Sequence, residues 1–266
     1  MLAELPTPKS LSPDFALSPI TPDDIDGLIT CHHNAFSSPA ERYWWAPDLG
    51  AMRVFQRRTM ALNLTKPGRR YYKITHRASG KVAAWTTWVL PKGFESLGGV
   101  PAAAAAADNL VVGGGEEVVD VEEATKDKLE GLSPQERARK IVEQIDPPEG
   151  ATRDALELVI QQEEEMHQKY GVEELILLAL LCTDPAFERR GLARALVEPM
   201  LAVAEAEGVP VWVEGSPKGA GFYEKMGFET IETTEIDLGR GNKGLTGNVT
   251  MWSMKWTPRA TPFEAQ

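Results

Sequence analysis

Two arginines and a glycine stand directly before a predicted helix, in the sequence Glu-Arg-Arg-Gly-Leu-Ala at residues 188–193. An apolar run at 175–181 precedes them, so the chain passes from a predicted strand through this turn into the helix. The first four N–H groups of a helix have no acceptor inside it, and the helix dipole is positive there. Gly191 also allows a close approach of the backbone to a ligand. This layout predicts an anion site of the kind that binds phosphate groups.

Candidate proton-transfer groups follow on the next predicted strand and helix. The apolar strand 209–213 is followed directly by Glu214, and Tyr223 lies in the helical sequence Phe-Tyr-Glu-Lys-Met-Gly-Phe. Strand ends at an open sheet are common places for reactive side chains, so Glu214 is a candidate general base. A glutamate on an exposed turn is the alternative, and a chain of water molecules could also remove a proton. Taken alone, Tyr223 is better explained as a packing residue on an amphipathic helix.

These segments together resemble the cofactor-binding motif of the GNAT superfamily, the acetyl-CoA-dependent N-acetyltransferases. That family shows a strand, a proline, the pattern [Gln/Arg]-x-x-Gly-x-[Gly/Ala], a helix, a second strand, and a helix carrying Tyr before Gly-Phe. The corresponding segments here are 175–183, Pro185, 188–193, 209–213 and 222–228. The resemblance is carried by residues 172–232. Glu188 departs from the Gln or Arg of the pattern, and we expect its carboxylate to point away from a bound diphosphate.

The resemblance implies acetyl-CoA as the cofactor and no metal. It implies that the strand backbone pairs with the pantetheine amides, that the turn binds the diphosphate, and that Tyr223 is the general acid beside the thioester sulfur. The cofactor-binding residues implied are Leu181, Cys182, Thr183, Arg189, Arg190, Gly191, Leu192, Ala193, Arg194 and Ser216. The turn alone is a weak motif, since an ordinary helix start with solvated arginines has the same sequence. A dinucleotide-binding fold needs the pattern Gly-x-Gly-x-x-Gly, and the turn at 188–193 contains only one glycine, Gly191.

For the acceptor, the resemblance implies a primary amine, on a small molecule or a peptide, that attacks the thioester directly in a ternary complex. An aromatic group at residues 36–45 could hold an amine by cation–π contact, or could simply pack on the sheet. Its members are Phe36, Tyr43, Trp44 and Trp45. Cys182 lies in an apolar strand, where its thiol pKa should rise, so we interpret it as a core residue and not as a nucleophile. Polyamine, antibiotic, amino acid and protein terminus all remain open as acceptors.

Composition restricts the function classes further. The chain of 266 residues carries a net charge of −11, which argues against non-specific nucleic-acid binding. Cys31 and Cys182 are the only cysteines, so neither a disulfide framework nor a zinc spacing is present. The sequence shows no signal-peptide pattern and no apolar run of membrane-spanning length. We therefore expect a cytoplasmic or nuclear protein that does not bind membranes, and a homodimer is left open.

The elements that must position these groups alternate between strand and helix, which predicts an α/β fold. By the resemblance, this is a mixed, mostly antiparallel central sheet flanked by helices. We expect a flexible lead at 1–13, a single domain at 14–257 and a tail at 258–266, with a mobile low-complexity insertion at 91–150. Within the insertion, Ser133-Pro134-Gln135-Glu136 is a capping box and predicts a helix to Ile145. The other predicted helices are 21–36, 51–64, 151–170, 190–207 and 219–226, and the other predicted strands are 15–20, 70–75, 81–90, 230–237 and 249–256.

Two functions of other classes fit parts of the same sequence. A coenzyme A-binding sensor without catalysis would retain the turn at 188–193. An interaction scaffold would use the acidic 91–150 segment for docking on an inert domain.

Overall fold

The computed structural model describes residues 5–64, 66, 68–94, 131–240 and 244–259, and within these ranges seven strands form one mixed sheet. The spatial order is β1-β2-β3-β4-β5-β7-β6, and among these strands β4 and β5 are the one parallel pair. The strands are β1 (Phe15–Pro19), β2 (Arg69–His76), β3 (Val82–Val89), β4 (Ile176–Thr183), β5 (Val211–Gly215), β6 (Glu229–Asp237) and β7 (Asn248–Trp256). The predicted α/β class with a mixed, mostly antiparallel sheet is confirmed.

Six α-helices of the described ranges flank this sheet, with bounds close to those predicted. They are α1 (Ile25–Ala35), α2 (Leu49–Leu64), α3 (Pro134–Ile145), α4 (Arg153–Tyr170), α5 (Leu192–Glu207) and α6 (Ala220–Lys225). Local chemistry fixes where they begin. The Thr21 N–H donates to Asp24 Oδ2 at 2.8 Å before α1, and the Ser133 hydroxyl accepts from the Glu136 N–H at 3.3 Å before α3.

The helices divide between the two faces of the sheet. Leu196 and Met200 of α5 and Tyr223 of α6 pack on one face, in a core cluster that includes Ile176. On the opposite face α1 and α2 pack around Trp85, and α4 packs on Trp212 through Met166. Since successive strand residues point to opposite faces, Val211 and Val213 join the first cluster while Trp212 faces α4.

Two further segments pack against the rest of the domain. Leu5 is buried in the main core cluster and Leu11 packs against it, so the part of the predicted lead from residue 5 onward lies on the sheet. Helix α3 buries Ala138 and Val142 and forms an ion pair between Arg137 and Glu164 of α4 at 2.7 Å. Residues 95–130 of the predicted insertion, 1–4 of the lead and 260–266 of the tail lie outside the described residues.

Within the described ranges, every helix is either too short or too polar to traverse a lipid bilayer.

Candidate active site

Strand β4 has an irregularity at the centre of the sheet. Thr87 of β3 pairs with Leu180, but its neighbour Trp88 pairs with Leu178, so Ala179 is an extra residue in β4. Such a bulge bends a strand and reverses the faces to which later side chains point. Leu178 accordingly packs on the α5 side, whereas Cys182 packs on the α1 side.

Beyond the bulge, β4 and β5 part. Their parallel pairing covers Ile176 to Leu178, and Glu214 and Gly215 of β5 then pair with β7 alone. The side of β4 that faces β5 therefore has no strand partner in the described structure from Ala179 onward. An apolar run such as 175–181 is typical of a strand buried on both faces. This half of β4 departs from that expectation, because Ala179 is exposed and Leu180 and Leu181 are half-buried. A gap with free backbone edges opens in the middle of the sheet.

The turn that follows β4 exposes the amide groups at the start of α5. Arg189 has φ +62° and Gly191, the N-cap residue, has φ +76°, so both occupy the left-handed region. No side chain of the described residues caps α5, and the Gly191 carbonyl accepts from the Ala195 N–H to close the first turn of the helix. The amides of residues 192–194 therefore remain available to an external acceptor, in a positive field.

One cavity of about 550 Å³ joins the gap and this turn. It brings together most of the predicted site residues. These are Phe36, Leu181, Cys182, Thr183, Arg189, Gly191, Leu192, Ala193, Arg194, Glu214, Ser216 and Tyr223. Arg190 is not part of its lining, and its guanidinium lies over the Phe187 ring at 5.8 Å.

Three of the four predicted acceptor aromatics are not in the cavity lining. Tyr43 is buried against Ile236 and Leu238, and Trp45 is buried against Met52. Trp44 is partly buried between these two clusters. These rings pack the loop onto the sheet and α2, which was the alternative to an amine-binding box, and Phe36 alone of the four reaches the cavity.

Tyr223 lies on the floor of the cavity. It is only 6% exposed, and a Cβ added at Gly219 would come within 3.1 Å of its ring, so the small residue at the start of α6 leaves room for the phenol. Burial, with a further contribution from Cys182, raises the pKa of Tyr223 well above its ordinary value. The phenol is therefore a protonated donor at neutral pH.

Glu214 lies inside β5, not after its end as predicted. Its carboxylate accepts from Trp212 Nε1 at 2.7 Å and from Ser253 Oγ on β7 at 2.8 Å. Burial raises the pKa of Glu214 even though both hydrogen bonds favour the charged form. A partly desolvated carboxylate with a raised pKa, fixed by two donors, is a stronger base than an ordinary carboxylate.

Cys182 is 4% exposed and its sulfur lies 3.9 Å from that of the buried Cys31. Burial, then the neighbouring Cys31, raises the pKa of the Cys182 thiol well above its usual range. The thiol is therefore a poor nucleophile, in line with its interpretation as a core residue.

Four charged residues of this region were not singled out by the sequence. Glu41, Lys218 and Lys225 line the cavity. Glu163 of α4 keeps an exposed surface, yet the protein that surrounds it, together with the charge of Glu214, raises its pKa to about 7. Each depends on contacts between distant segments, and the only local signal was the position of Glu163 beside the apolar stripe of α4.

Residues 157–230, which contain β4, the turn, β5 and Tyr223, match the family model described as "Acetyltransferase (GNAT) domain". The chain contains a GNAT acetyltransferase domain. The predicted family and the predicted enzyme class, an acyltransferase, are thereby confirmed.

Solved structures of N-acetyltransferases share the fold of this chain. The chain is similar to the Drosophila melanogaster polyamine N-acetyltransferase that forms N-acetylagmatine, at a TM-score of 0.52 and 14% identity, covering 92% of this chain and 100% of that one. It is similar to a point mutant of an agmatine N-acetyltransferase in its apo form, at a TM-score of 0.50 and 13% identity, covering 92% and 99%. It also matches the ribosomal-protein-S18-alanine N-acetyltransferase of Escherichia coli at a TM-score of 0.47 and 14% identity, covering 94% of this chain and 97% of that one. At these identities the first two similarities establish the fold and nothing about the substrate.

Proposed function

We propose that this protein transfers an acetyl or short acyl group from acetyl-CoA directly to a primary amine in a ternary complex. One observation carries the proposal: a single cavity contains the free edge of β4, the uncapped start of α5 and the buried phenol of Tyr223. These are the three features that an extended thioester with a diphosphate at one end requires.

The residues of the cavity fit coenzyme A in their chemistry. The unpaired edge at Leu181, Cys182 and Thr183 offers backbone donors and acceptors to the amides of a pantetheine arm, as an added strand would. The amides of residues 189–194 and the guanidinium groups of Arg189 and Arg194 suit the diphosphate. Ser216, at the end of β5, is within the same cavity and is proposed to contact the arm.

Tyr223 is proposed as the general acid. A leaving thiolate must gain a proton, and a phenol whose pKa is raised by burial holds that proton until a strong base appears beside it. When bound, coenzyme A supplies the activated acyl group, and the protein supplies the orientation and the proton.

Glu214 is proposed as the general base, with a water chain as the alternative. Amines are mostly protonated at neutral pH, so a group in the cavity or a chain of waters must take the proton before attack. The raised pKa of Glu214 makes it a better base than an ordinary carboxylate. The charge of Glu214 and Glu41 in the same lining also favours a cationic acceptor.

The acceptor is proposed to be a small-molecule or peptide amine. The Drosophila polyamine N-acetyltransferase, which is similar in fold, forms N-acetylagmatine and so acts on a small amine. Phe36 and Met251 give the cavity apolar surface beside Glu41 and Glu214, which fits an amine with a hydrocarbon body.

The test has two steps, calorimetry with CoA and acetyl-CoA, followed by thiol release with a panel of amines. Binding followed by amine-dependent thiol release is expected. Binding without release for every amine would favour the non-catalytic sensor, and the absence of binding to either form would refute the proposal.

A further inference from the structure

An ion pair connects the two walls of the proposed coenzyme A cavity. Lys218 Nζ lies 2.9 Å from Glu188 Oε1, and both residues line the cavity. Glu188 belongs to the turn that follows β4, whereas Lys218 belongs to the loop between β5 and α6. The pair therefore spans the mouth of the gap where the two strands have parted.

Glu188 is also the position at which the chain departs from the Gln or Arg of the resembled pattern. It precedes Gly191 by three residues, so its carboxylate is tethered beside the uncapped amides of α5. Carboxylates are good ligands for such amides, and acids are stabilised near helix N-termini. An unrestrained Glu188 would compete with a diphosphate for the same donors, and would also repel it.

The structure shows where this carboxylate goes instead. Its partner is Lys218, and no side chain of the described residues occupies the start of α5. The ion pair with Lys218 supplies a physical reason to expect that the Glu188 carboxylate would be held away from a bound diphosphate.

We propose that Lys218 is a positioning residue that holds the Glu188 carboxylate away from the α5 amides and so keeps the anion site free for coenzyme A. This inference rests on the proposed function. Because the two side chains are 60% and 37% exposed, the pair contributes little to folding, and its effect lies in ligand binding.

The experiment measures the Kd for CoA by calorimetry in four proteins: wild type, Lys218→Met, Glu188→Gln, and the double variant. Lys218→Met should weaken binding by about fivefold, the upper range for releasing an exposed pair. Glu188→Gln should bind as well as wild type or more tightly. The double variant should return to within about twofold of Glu188→Gln, since without the carboxylate there is nothing to hold.

Two outcomes would overturn the proposal. If the double variant binds as weakly as Lys218→Met, the lysine contacts the ligand itself, and if Lys218→Met binds like wild type, it has no role. A wild-type protein that ignores CoA would instead refute the proposed function, so the two failures are distinguishable.

A matched control is available in Lys169 and Glu232, which form a lysine–glutamate pair at 2.6 Å with similar exposures of 53% and 31%, between α4 and β6. Lys169→Met should leave the Kd for CoA unchanged. Lys218→Arg, which retains the charge, should retain wild-type affinity. The Lys218→Met defect should also shrink as NaCl increases, because salt screens the carboxylate.

Discussion

Two side chains of the cavity, Tyr223 and Glu214, have their pKa values raised by the same cause, burial, with opposite chemical results. The phenol stays protonated at neutral pH, because its charged form is disfavoured, and so holds a proton for a strong base such as a thiolate. The carboxyl becomes a stronger base, because it binds a proton more tightly when it meets one. One desolvated environment thus suits both halves of an acid–base pair.

Tyr223→Phe should lower kcat by about 10- to 1,000-fold, the usual scale for a lost general acid, and leave the Kd for CoA unchanged. Steady-state kinetics and calorimetry measure the two separately. Tyr72→Phe is the control, since Tyr72 is buried in the same core cluster but does not line the cavity. Wild-type turnover by Tyr223→Phe across the whole pH range would exclude the acid assignment.

The rate should also depend on pH through Glu214. A base works only when deprotonated, so kcat/KM should rise with pH through an apparent pKa above that of an ordinary carboxyl. Glu232→Gln should shift this limb to lower pH, because the charge of Glu232 contributes to raising the pKa of Glu214. In Glu214→Gln the rise of kcat/KM with pH should move to the pKa of the free amine. An unchanged limb in Glu214→Gln would indicate the water chain.

Among the elements, the start of α5 is the proposed site for coenzyme A, because a strand with a free edge leads into a helix with free amides. Both ends of α5 carry a glycine with positive φ, Gly191 at +76° and Gly208 at +67°, and a Cβ at either would meet nothing within 4 Å. The two positions therefore offer the same room for a side chain and differ in their place on the helix and in the local electrostatic field.

Gly191→Asp should abolish measurable CoA binding, because a fixed carboxylate would lie at the anion site. Gly208→Asp is the matched control and should bind CoA normally. Both variants should lose about 1–2 kcal/mol of stability, from left-handed backbone strain at a residue with a Cβ. Calorimetry and chemical denaturation measure the two effects, and equal CoA affinities in the two variants would contradict a binding role for this turn.

At the scale of the whole molecule, charge is unevenly distributed. The chain has a net charge of −11, yet the cavity lining contains Arg189, Arg194, Lys218 and Lys225. Two of these cations are in ion pairs, Lys218 with Glu188 and Arg194 with Glu198. The acids Glu41 and Glu214 belong to the same lining. The cavity thus offers cations to an anionic ligand and anions to a cationic one.

CoA affinity should therefore fall as NaCl rises, since the attraction acts partly through solvent. KM for a cationic amine should rise over the same range, whereas KM for an amine of similar size with an added carboxylate should be higher at low salt. Stopped-flow association and steady-state kinetics at several salt concentrations measure these trends. A CoA affinity independent of salt would contradict the electrostatic role of the lining.

Much of the fold was predictable because helices and strands are determined over short distances. The predicted helices 21–36 and 151–170 contain α1 and α4, and the capping box at Ser133 located α3 inside an otherwise acidic segment. The anion turn was predictable for the same reason, as an apolar run, two arginines and a glycine are local features.

Local sequence was sufficient to predict the elements, the turn before α5 and the family that both resemble, since each depends on residues close together in the chain. The extra residue at Ala179 of β4 and the separation of β4 from β5 became visible only in the folded sheet, because a bulge is defined only against the partner strand. The tertiary structure also decided that Trp45 packs away from the cavity and that Lys218 meets Glu188 across it. Such contacts join segments whose separation in the sequence carries no local pattern, so only the packed sheet could reveal them.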